Sequence, residues 1–486
     1  MAKLRIVTST SDIEQGSTQS ESQSQHQYEI RNIPRSEYHD RLVKANLRHR
    51  PWLEILDQFM DPITEGYAVH HKRRMLHFDI KVIHMSSSGN IESIIKCLTP
   101  TMFKDATSKE GSEGGGTLVI AKDLSRAMID SLGMKYELEP EFFASHLEGT
   151  ELWLMGSWES PAVRESPRAP ILLPDYLRKS PFYGAQYRRP YHIKGGKEEI
   201  IKLRSSETCT PRGVHILSNE LPDMFVSEKI SVYKRPGSKI EIILTDQLLS
   251  KVPPASYIRT PVTILDDDPI ALGLRGRSRQ VSSRRELIGW LQRLTRDERK
   301  YIFDNQEPLA LRPTLKIVER TSHMFLLHAR YIMQRMLGLF CDDKFPNSLP
   351  FFLSVSRALH RHILDQQKLL PYALNIASLR GGKNLAEQID DFAYLSEDME
   401  RALKALEEDV HFLAYMSSIR EGRIVGWVSK FAALFLPLSL LATVLAISDP
   451  GYTRWVILGT LSVPFVSIST YFMFFWKIPH VDSFKY

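Results

Sequence analysis

Cysteine is scarce in this sequence, and its placement suggests no site. Cys97, Cys209 and Cys341 are the only three in 486 residues, and no two of them form a CxxC pair. A disulfide framework or a zinc site is therefore not expected, and a reducing compartment suits the chain. The first residues also lack the apolar stretch of a secretory signal, because the chain becomes rich in Ser, Gln and Glu after Val7. We expect no signal peptide and a cytosolic N-terminal region.

The sequence has only a small excess of positive charge, and it has no recognisable catalytic motif. The net charge is only +6, with 63 basic and 57 acidic residues, and so mild a balance does not predict nucleic-acid binding. The Gly-rich segments lack the Lys-Ser/Thr pair of a phosphate loop. No set of titratable residues has a spacing typical of catalysis. We therefore predict no enzyme, no cofactor and no nucleic-acid partner, and we keep a membrane-tethered enzyme as the weakest alternative.

Two long runs without charge lie near the C-terminus. They are Phe431–Ile447 and Trp455–Trp476, and with its flanking residues each can cross about 30 Å of hydrocarbon. The segment between them begins with Asp449-Pro450-Gly451, which is strong turn chemistry. We predict a membrane hairpin with helices at 425–448 and 455–476 and a loop at 449–454. A pair of buried core helices is the alternative.

Basic residues flank the predicted hairpin on one side of the membrane. Arg420, Arg423 and Lys430 precede the first apolar run and Lys477 follows the second, whereas the loop has one Asp and one Arg. By the positive-inside rule, both termini, including a short tail at 477–486, are cytosolic and the loop faces outward. We expect an integral, multi-pass protein of the plasma membrane, with an organelle membrane as the alternative.

The chain before the hairpin divides by its hydrophobic pattern. Residues 1–30 are polar and predicted to be disordered, residues 31–310 alternate strand-like and helix-like segments, and residues 311–424 have helical periodicity. The predicted fold class is an α/β cytosolic domain followed by long stalk helices and the hairpin. Predicted strands lie at 77–84, 117–121, 152–158, 230–233 and 240–245, and predicted helices lie at 125–132, 311–339, 349–379 and from 384 into the first span.

The last of these helices, the stalk helix, carries an apolar seam whose members are three or four residues apart. Such a seam pairs either with copies of itself or with helices of the same subunit, and the sequence leaves both open. Glu407, Glu408 and Asp409 lie on the same helix. They either bind a regulatory Mg²⁺ between subunits or form a solvated face. The seam consists of Phe392, Leu395, Met399, Leu403, Leu406, Val410 and Leu413.

Four short segments carry a family resemblance. Phe435–Ser439 reads FLPLS, and Leu118–Leu124, Leu138–Leu147 and Lys229–Tyr233 lie in the predicted α/β domain. The first resembles the F-x-P-L-[ST] segment in the pore-lining helix of the CorA-type magnesium channel family. The other three resemble soluble-domain segments of the divergent CorA-like membrane proteins of fungi. The resemblance covers most of residues 75–480. It implies a CorA-like fold, passive flux of Mg²⁺ or another divalent cation, and a homo-oligomer, a pentamer in that family.

The signature of the family is altered in this chain. Its Gly-Met-Asn positions, at the outer end of the first span, are taken by Ala446, Ile447 and Ser448. The resemblance implies that the Ser448 hydroxyl would contact the waters of a hydrated cation, and that Asp449 would attract cations at the outer mouth. The altered signature also leaves open a non-conducting protein, which would act as a scaffold or as a silent subunit beside a related CorA-type subunit.

One stripe of the first span suits a pore. Its residues are three or four apart and, except for Leu436, are small or hydroxylated. Because a single hairpin cannot enclose a water path, a pore needs a ring of subunits. In such a ring Ser439 and Thr443 would support hydrated ions, and Leu436 would close the path by dewetting. Close packing of membrane helices is the alternative. The stripe is Ser429, Ala432, Leu436, Ser439, Thr443 and Ala446, and the predicted pore lining adds Ser448.

Overall fold

The computed structural model describes much of the chain in separate ranges. These are residues 36–61, 75–108, 115–148, 180–192, 209–210, 214–216, 223–247, 282–304, 308–341, 349–380 and 386–446, with 456, 459, 460, 463, 464, 467 and 471. The chain forms two compact units, one of residues 1–336 and 354–405 and the other of residues 337–353 and 406–486. The domain boundaries given above stay predictions, and the strand expected at 152–158 lies outside the described ranges.

A mixed β-sheet forms the centre of the first unit. Its strands run in the order β2-β1-β3-β7-β6-β4, and β5 pairs with β6. β3 and β7 are parallel, whereas the other pairs are antiparallel. The strands are β1 (Ile80–Met85), β2 (Ile91–Cys97), β3 (Gly116–Lys122), β4 (Phe182–His192), β5 (Val214–Ile216), β6 (Asp223–Tyr233) and β7 (Ile240–Thr245).

The burial of each strand follows its sequence pattern. β3 has a continuous apolar run and is buried along almost its whole length, as expected for a strand that is covered on both faces. β2 alternates between half-buried and exposed residues, which is typical of an edge strand with one solvated face. The predicted strands at 77–84, 117–121, 230–233 and 240–245 correspond to β1, β3, β6 and β7, although β6 begins earlier than predicted.

Helices account for the remaining regular structure in the described ranges. Short helical turns, His39–Lys44 and Pro51–Leu53, precede the first of them. The helices predicted near 311–339, near 349–379 and from 384 are observed as α7, α8 and α9. The helices are α1 (Glu54–Met60), α2 (Pro100–Thr107), α3 (Arg126–Tyr136), α4 (Pro140–Leu147), α5 (Ser283–Arg293), α6 (Arg296–Asp304), α7 (Leu311–Cys341), α8 (Leu349–Arg380) and α9 (Ala386–Ala446).

The hydrophobic core of the first unit lies between one face of the sheet and helices α1 to α4. Phe142 of α4 is central to it, because its ring lies 5.3 Å from those of Phe143 and Tyr233 and 5.7 Å from that of Phe182. Edge-to-face and tilted contacts of this kind add to the free energy of burying each ring. Helix α3 is held at its start by Ser125, whose hydroxyl accepts a hydrogen bond from the N–H of Met128 at 3.2 Å.

One ion pair and one carboxylate that accepts hydrogen bonds at a helix start connect helices to the sheet. Arg284 of α5 lies 2.7 Å from the Asp79 carboxylate, just before β1. Glu241 of β7 accepts hydrogen bonds at 2.8 Å from the N–H groups of both Leu309 and Ala310, at the start of α7. A carboxylate at a helix start is favoured by the helix dipole. Burial raises the pKa of Glu241, and the nearby Lys234 ammonium opposes that rise.

Four polar side chains form a buried network around Glu228 of β6. Arg189 of β4 donates two hydrogen bonds to the Glu228 carboxylate, at 2.8 and 3.0 Å. The hydroxyls of Tyr187 and Tyr191 donate to the same carboxylate at 3.0 and 3.2 Å. The Tyr187 hydroxyl also lies 2.5 Å from that of Ser283, at the start of α5. Because the carboxylate is fully hydrogen-bonded, the buried charge pair is tolerated in the sheet.

A buried histidine joins β4 to α8. The Arg188 guanidinium donates a hydrogen bond at 2.7 Å to the backbone carbonyl of His362 and lies 3.2 Å from its ring nitrogen Nδ1. The ring of His362 also packs against that of Phe225, at 6.1 Å between centroids. Burial, and then the positive charge of Arg188, lowers the pKa of His362 from 6.5 to about 4. The folded protein therefore holds this histidine neutral.

Acid should weaken the fold through His362. Between pH 6.5 and 4 the unfolded chain takes up a proton at this position and the folded chain does not. The free energy of unfolding therefore falls as the pH falls through this range, by up to about 3 kcal/mol. Denaturant unfolding of the His362→Gln variant should show that part of the pH dependence removed. The matched His360→Gln variant should keep the wild-type dependence, and a His362→Gln variant with an unchanged dependence would contradict the assignment.

Candidate functional site

The stalk helix and the first predicted span form one continuous helix. α9 runs from Ala386 to Ala446 without a break, as predicted from the absence of proline between Ala373 and Leu436. Pro437 lies within it and does not end it. Because α9 is unbroken, the residues of the candidate pore stripe from Ser429 to Ala446 all lie on one helix.

The candidate pore stripe lies in a part of α9 where most described residues are exposed. Ser429, Ala432, Leu436, Ser439 and Thr443 are all exposed in the single chain, and Leu436 is 67% exposed. Ala446 is described only as the last residue of the helix. Five of the six stripe residues are thus exposed among the residues that the structure describes, and their place on one helix face follows from their spacing of three and four.

The two hydroxyls of the stripe are oriented by the helix backbone. The Ser439 hydroxyl donates a hydrogen bond to the carbonyl of Leu436 at 2.9 Å, and that of Thr443 donates to the carbonyl of Ser439 at 2.7 Å. A hydroxyl has one donor and two acceptor lone pairs. Because the donor is used within the helix, each oxygen presents acceptors to whatever lies outside. The waters of a hydrated cation point their hydrogens outward and require acceptors of this kind.

Large apolar side chains surround the stripe. Trp427 and Phe431 pack against each other at 6.4 Å between ring centroids, and the Lys430 ammonium lies 5.4 Å from the Trp427 ring. Aromatic rings beside a long basic side chain are typical of a membrane interface. An apolar surface of this extent normally marks a membrane or partner contact. The exposed apolar residues of this segment are Ile424, Val425, Trp427, Val428, Phe431, Phe435 and Leu436.

The membrane spans themselves stay a prediction. No helix in the part of the chain that the structure describes has both the length and the apolar character needed to span a membrane. Much of the second predicted span, 455–476, and several side chains between 433 and 446 lie outside that part.

A few residues of the second predicted span are described. They are helical and exposed, and two of them repeat the hydroxyl geometry of the first span. The Thr460 hydroxyl donates to the carbonyl of Val456 at 2.6 Å, and that of Ser467 donates to the carbonyl of Val463 at 2.8 Å. Hydroxyls that donate to the preceding helical turn therefore occur in both predicted spans. This geometry alone does not identify the pore-lining span, so the pore prediction depends on which span faces the ion path. The described residues are Val456, Gly459, Thr460, Val463, Pro464, Ser467 and Tyr471.

The predicted outer mouth lies beyond the end of α9. Ile447, Ser448 and Asp449 are outside the described residues. The assignment of Ala446, Ile447 and Ser448 to the altered signature, and of Asp449 to the mouth, stays a prediction.

The acidic run on α9 joins no cluster of potential metal ligands among the residues that the structure describes. Glu407 and Glu408 are exposed and Asp409 is half-buried. Burial, and then the neighbouring Glu408 carboxylate, raises the pKa of Asp409. Consecutive residues diverge by about 100° around a helix, so the three carboxylates point in different directions. The regulatory Mg²⁺ was predicted between subunits and stays a prediction.

The apolar seam of the stalk helix is buried within the single chain. Arg330 of α7 donates a hydrogen bond at 2.8 Å to Asp398 of α9, beside the seam. Of the two alternatives, packing against helices of the same subunit therefore explains the burial. The fully or nearly fully buried seam residues are Phe392, Leu395, Met399, Leu406 and Leu413.

One side-chain cluster was not predicted from the sequence. His77, Asp123 and Cys209 are far apart along the chain, yet their ligand atoms all lie within 4.8 Å of one another. Among the residues that the structure describes, this is the one group of three or more His, Cys, Asp or Glu side chains with such proximity. No local spacing predicts it, because the pairing of β1 with β3 brings His77 near Asp123 and a backbone hydrogen bond to Asp123 holds Cys209 there.

Comparisons with known proteins add one structural similarity. No family model matches the chain, and no curated protein matches it. Among solved structures, the chain is similar to the CorA magnesium transporter from Methanocaldococcus jannaschii, with a TM-score of 0.39 and 12% sequence identity, over 81% of this chain and 96% of that one. At this level the similarity concerns the path of the backbone and carries no information about residues or activity.

Proposed function

We propose that the chain is one subunit of a passive, CorA-like channel for divalent cations, with Mg²⁺ as the ion. The pore is lined by the first predicted span, through Leu436, Ser439, Thr443, Ala446 and Ser448. The observation that carries the proposal is the exposed stripe of α9, in which Ser439 and Thr443 present acceptor oxygens outward. Mg²⁺ keeps most of its waters in protein sites, and those waters bind to oxygen acceptors.

The apolar surface beside the stripe supports a place in the bilayer. Val425 and Leu436 are 63% and 67% exposed in the single chain. Transfer of such apolar side chains from water into lipid is favourable. The proposal places both termini in the cytosol and the loop at 449–454 outside, in the plasma membrane. No enzymatic activity and no resident cofactor are proposed, and Mg²⁺ is the transported ion.

A closed path requires several copies of the chain. One helix per subunit lines the pore, so the subunits must form a ring around it, and a homopentamer is the proposed assembly. In that ring Leu436 forms the narrowest apolar constriction and closes the path by dewetting. Asp449 concentrates cations at the outer mouth.

The altered signature favours a second candidate function. Ala446-Ile447-Ser448 replaces the Gly-Met-Asn of the resembled family, and a Ser hydroxyl reaches less far than an Asn amide. A protein with this change would act as a scaffold or as a silent subunit of a related CorA-type channel. It would keep the membrane hairpin and the oligomer contacts but would conduct nothing alone.

Growth of a bacterial strain that lacks its own Mg²⁺ uptake tests the proposal. The full chain should restore growth at low Mg²⁺, whereas a chain that ends at residue 424, before the hairpin, should not. A full chain that is present in the membrane fraction and restores no growth would contradict the channel. A full chain that restores no growth alone but co-purifies with a co-expressed Gly-Met-Asn-bearing relative would instead support the silent subunit.

A further inference from the structure

His77, Asp123 and Cys209 meet at one edge of the sheet. Asp123 directly follows β3, and the parallel neighbour β7 ends beside it. His77 precedes β1, which is antiparallel to β3, so it reaches the same edge from the opposite direction. Carboxyl ends of neighbouring parallel strands are a common position for ligand sites. The three ligand atoms lie within 4.8 Å of one another.

The backbone around these residues is fixed by hydrogen bonds. The N–H of Asp123 donates to the carbonyl of Thr245 at 2.8 Å, and Asp123 has a φ of 60°, in the left-handed region. Its Oδ1 accepts hydrogen bonds from the N–H groups of Cys209, at 2.7 Å, and Thr210, at 3.3 Å. The Ser125 hydroxyl donates to the carbonyl of His77. A non-glycine residue in the left-handed region is uncommon and is often found at functional sites.

We propose that His77, Asp123 and Cys209 bind one transition-metal ion of the Zn²⁺ class. Imidazole nitrogen, carboxylate oxygen and thiolate sulfur are the donors that Zn²⁺ takes in proteins, whereas Mg²⁺ and Ca²⁺ take oxygen only. The site is therefore chemically distinct from the proposed path of Mg²⁺, and it does not rest on the proposed function. Three protein ligands leave a fourth tetrahedral position for water or another small ligand.

The proximity of the three ligand atoms suits one shared ion. Metal–ligand distances of about 2.0–2.3 Å place neighbouring ligand atoms about 3.3–3.8 Å apart. The upper limit of 4.8 Å exceeds this spacing by about 1 Å, so binding of the ion would draw the three side chains together by at most about that amount. A carboxylate has about four lone-pair sites, so Asp123 can keep its bonds to the two N–H groups and still coordinate the ion.

Two of the three proposed ligands are buried, so an ion bound there would be shielded from solvent. Asp123 is fully buried, Cys209 is 3% exposed, and Cys209 is not disulfide-bonded. A bound cation would stabilise both the thiolate and the carboxylate in this position. It would also tie the segment at Cys209–Thr210 to the ends of β1 and β3, which lie far from it in sequence.

Metal binding to the purified full chain in detergent tests the proposal. After chelation and dialysis, the protein should bind one Zn²⁺ per chain, and Co²⁺ in its place should give a thiolate-to-cobalt charge-transfer band. The Cys209→Ser variant should lose the band and bind Zn²⁺ more than about 100-fold more weakly, because removing a ligand costs at least as much as removing its supporting residue. The His77→Gln variant should keep the thiolate but also bind more weakly.

Cys97 provides the matched control. It is also buried and not disulfide-bonded, but it belongs to β2 and lies outside the cluster. The Cys97→Ser variant should keep the stoichiometry, the band and the affinity. The proposal is overturned if the wild-type chain, shown to be folded by circular dichroism, binds no Zn²⁺ at micromolar concentration. It is also overturned if the two Cys→Ser variants lose the band equally.

Discussion

The Thr443→Leu variant is expected to conduct Mg²⁺ at least about tenfold more slowly than the wild type, a change that corresponds to about 1.4 kcal/mol in the barrier. Thr443 is exposed on the stripe, and its hydroxyl donates to the carbonyl of Ser439 at 2.7 Å. In the proposed ring every subunit contributes one such oxygen. Leucine removes all of these acceptors and narrows the path with apolar groups.

The loss of one acceptor oxygen from each subunit is sufficient for a tenfold decrease in the rate of Mg²⁺ flux. A single hydrogen bond has a net value of about 1 kcal/mol, and the ring loses one for each subunit. An apolar ring in a narrow pore also opposes wetting, as proposed for Leu436. Flux into liposomes that contain equal amounts of each variant measures the difference. The Thr443→Ser variant keeps the hydroxyl and should conduct close to the wild-type rate.

Thr460 is the matched control for Thr443. It is exposed, lies in the second predicted span, and donates to the preceding helical turn in the same way, to the carbonyl of Val456 at 2.6 Å. The Thr460→Leu variant should conduct close to the wild-type rate, because the second span faces away from the proposed path. Equal losses in the two variants would favour helix packing over pore lining as the role of the stripe.

The Glu228→Ala variant is expected to lower the free energy of unfolding by about 3–5 kcal/mol, because it leaves a buried guanidinium without its counter-ion. Glu228 is 3% exposed and Arg189 is 6% exposed, and two hydrogen bonds of 2.8 and 3.0 Å join them. Two tyrosine hydroxyls lose their acceptor in the same variant. Denaturant unfolding followed by circular dichroism measures the change.

Two comparisons separate burial from charge pairing. Glu37 and Arg41 form an ion pair of 2.6 Å on the surface, and the Glu37→Ala variant should cost less than about 1 kcal/mol because water screens the pair. The double variant Glu228→Leu with Arg189→Met should recover much of the loss, since neither member of the buried ion pair is then left without its partner. A Glu228→Ala variant that is as stable as Glu37→Ala would show that the network adds little to stability.

Local periodicity predicted the three long helices, α3 and four of the strands, but not the shorter helices α1, α2, α4, α5 and α6 or strand β2. α7, α8 and α9 begin within a few residues of the predicted positions, and β7 matches its prediction, because burial of one face imposes a regular spacing of apolar residues. The sequence predicts no strand over Phe182–His192. β4 carries Arg188, Arg189 and Pro190, and its charges are compensated by Glu228 and Asp365, which lie far away in sequence.

The two candidate sites also differ in how far the sequence alone predicts them. The pore stripe was predicted because its residues share one helix face, and five of its six members are exposed in the described part of α9, so its role in a pore stays a prediction. The cluster of His77, Asp123 and Cys209 depends on the register of β1 against β3 and on the hydrogen bond from the Cys209 N–H to Asp123. A single sequence does not contain that register. Widely separated cysteines therefore gave a prediction of no zinc site, although the fold places one of them beside a histidine and an aspartate.

Mg²⁺ influx into liposomes tests the central claim most directly. The purified chain is reconstituted into vesicles that enclose a Mg²⁺-sensitive dye, and the mass of the assembly is measured in the same preparation. Addition of external Mg²⁺ should raise the dye signal well above that of empty vesicles, and the signal should fall in the Thr443→Leu variant. A protein that forms oligomers in the vesicles but gives no influx above that of empty vesicles would contradict the channel.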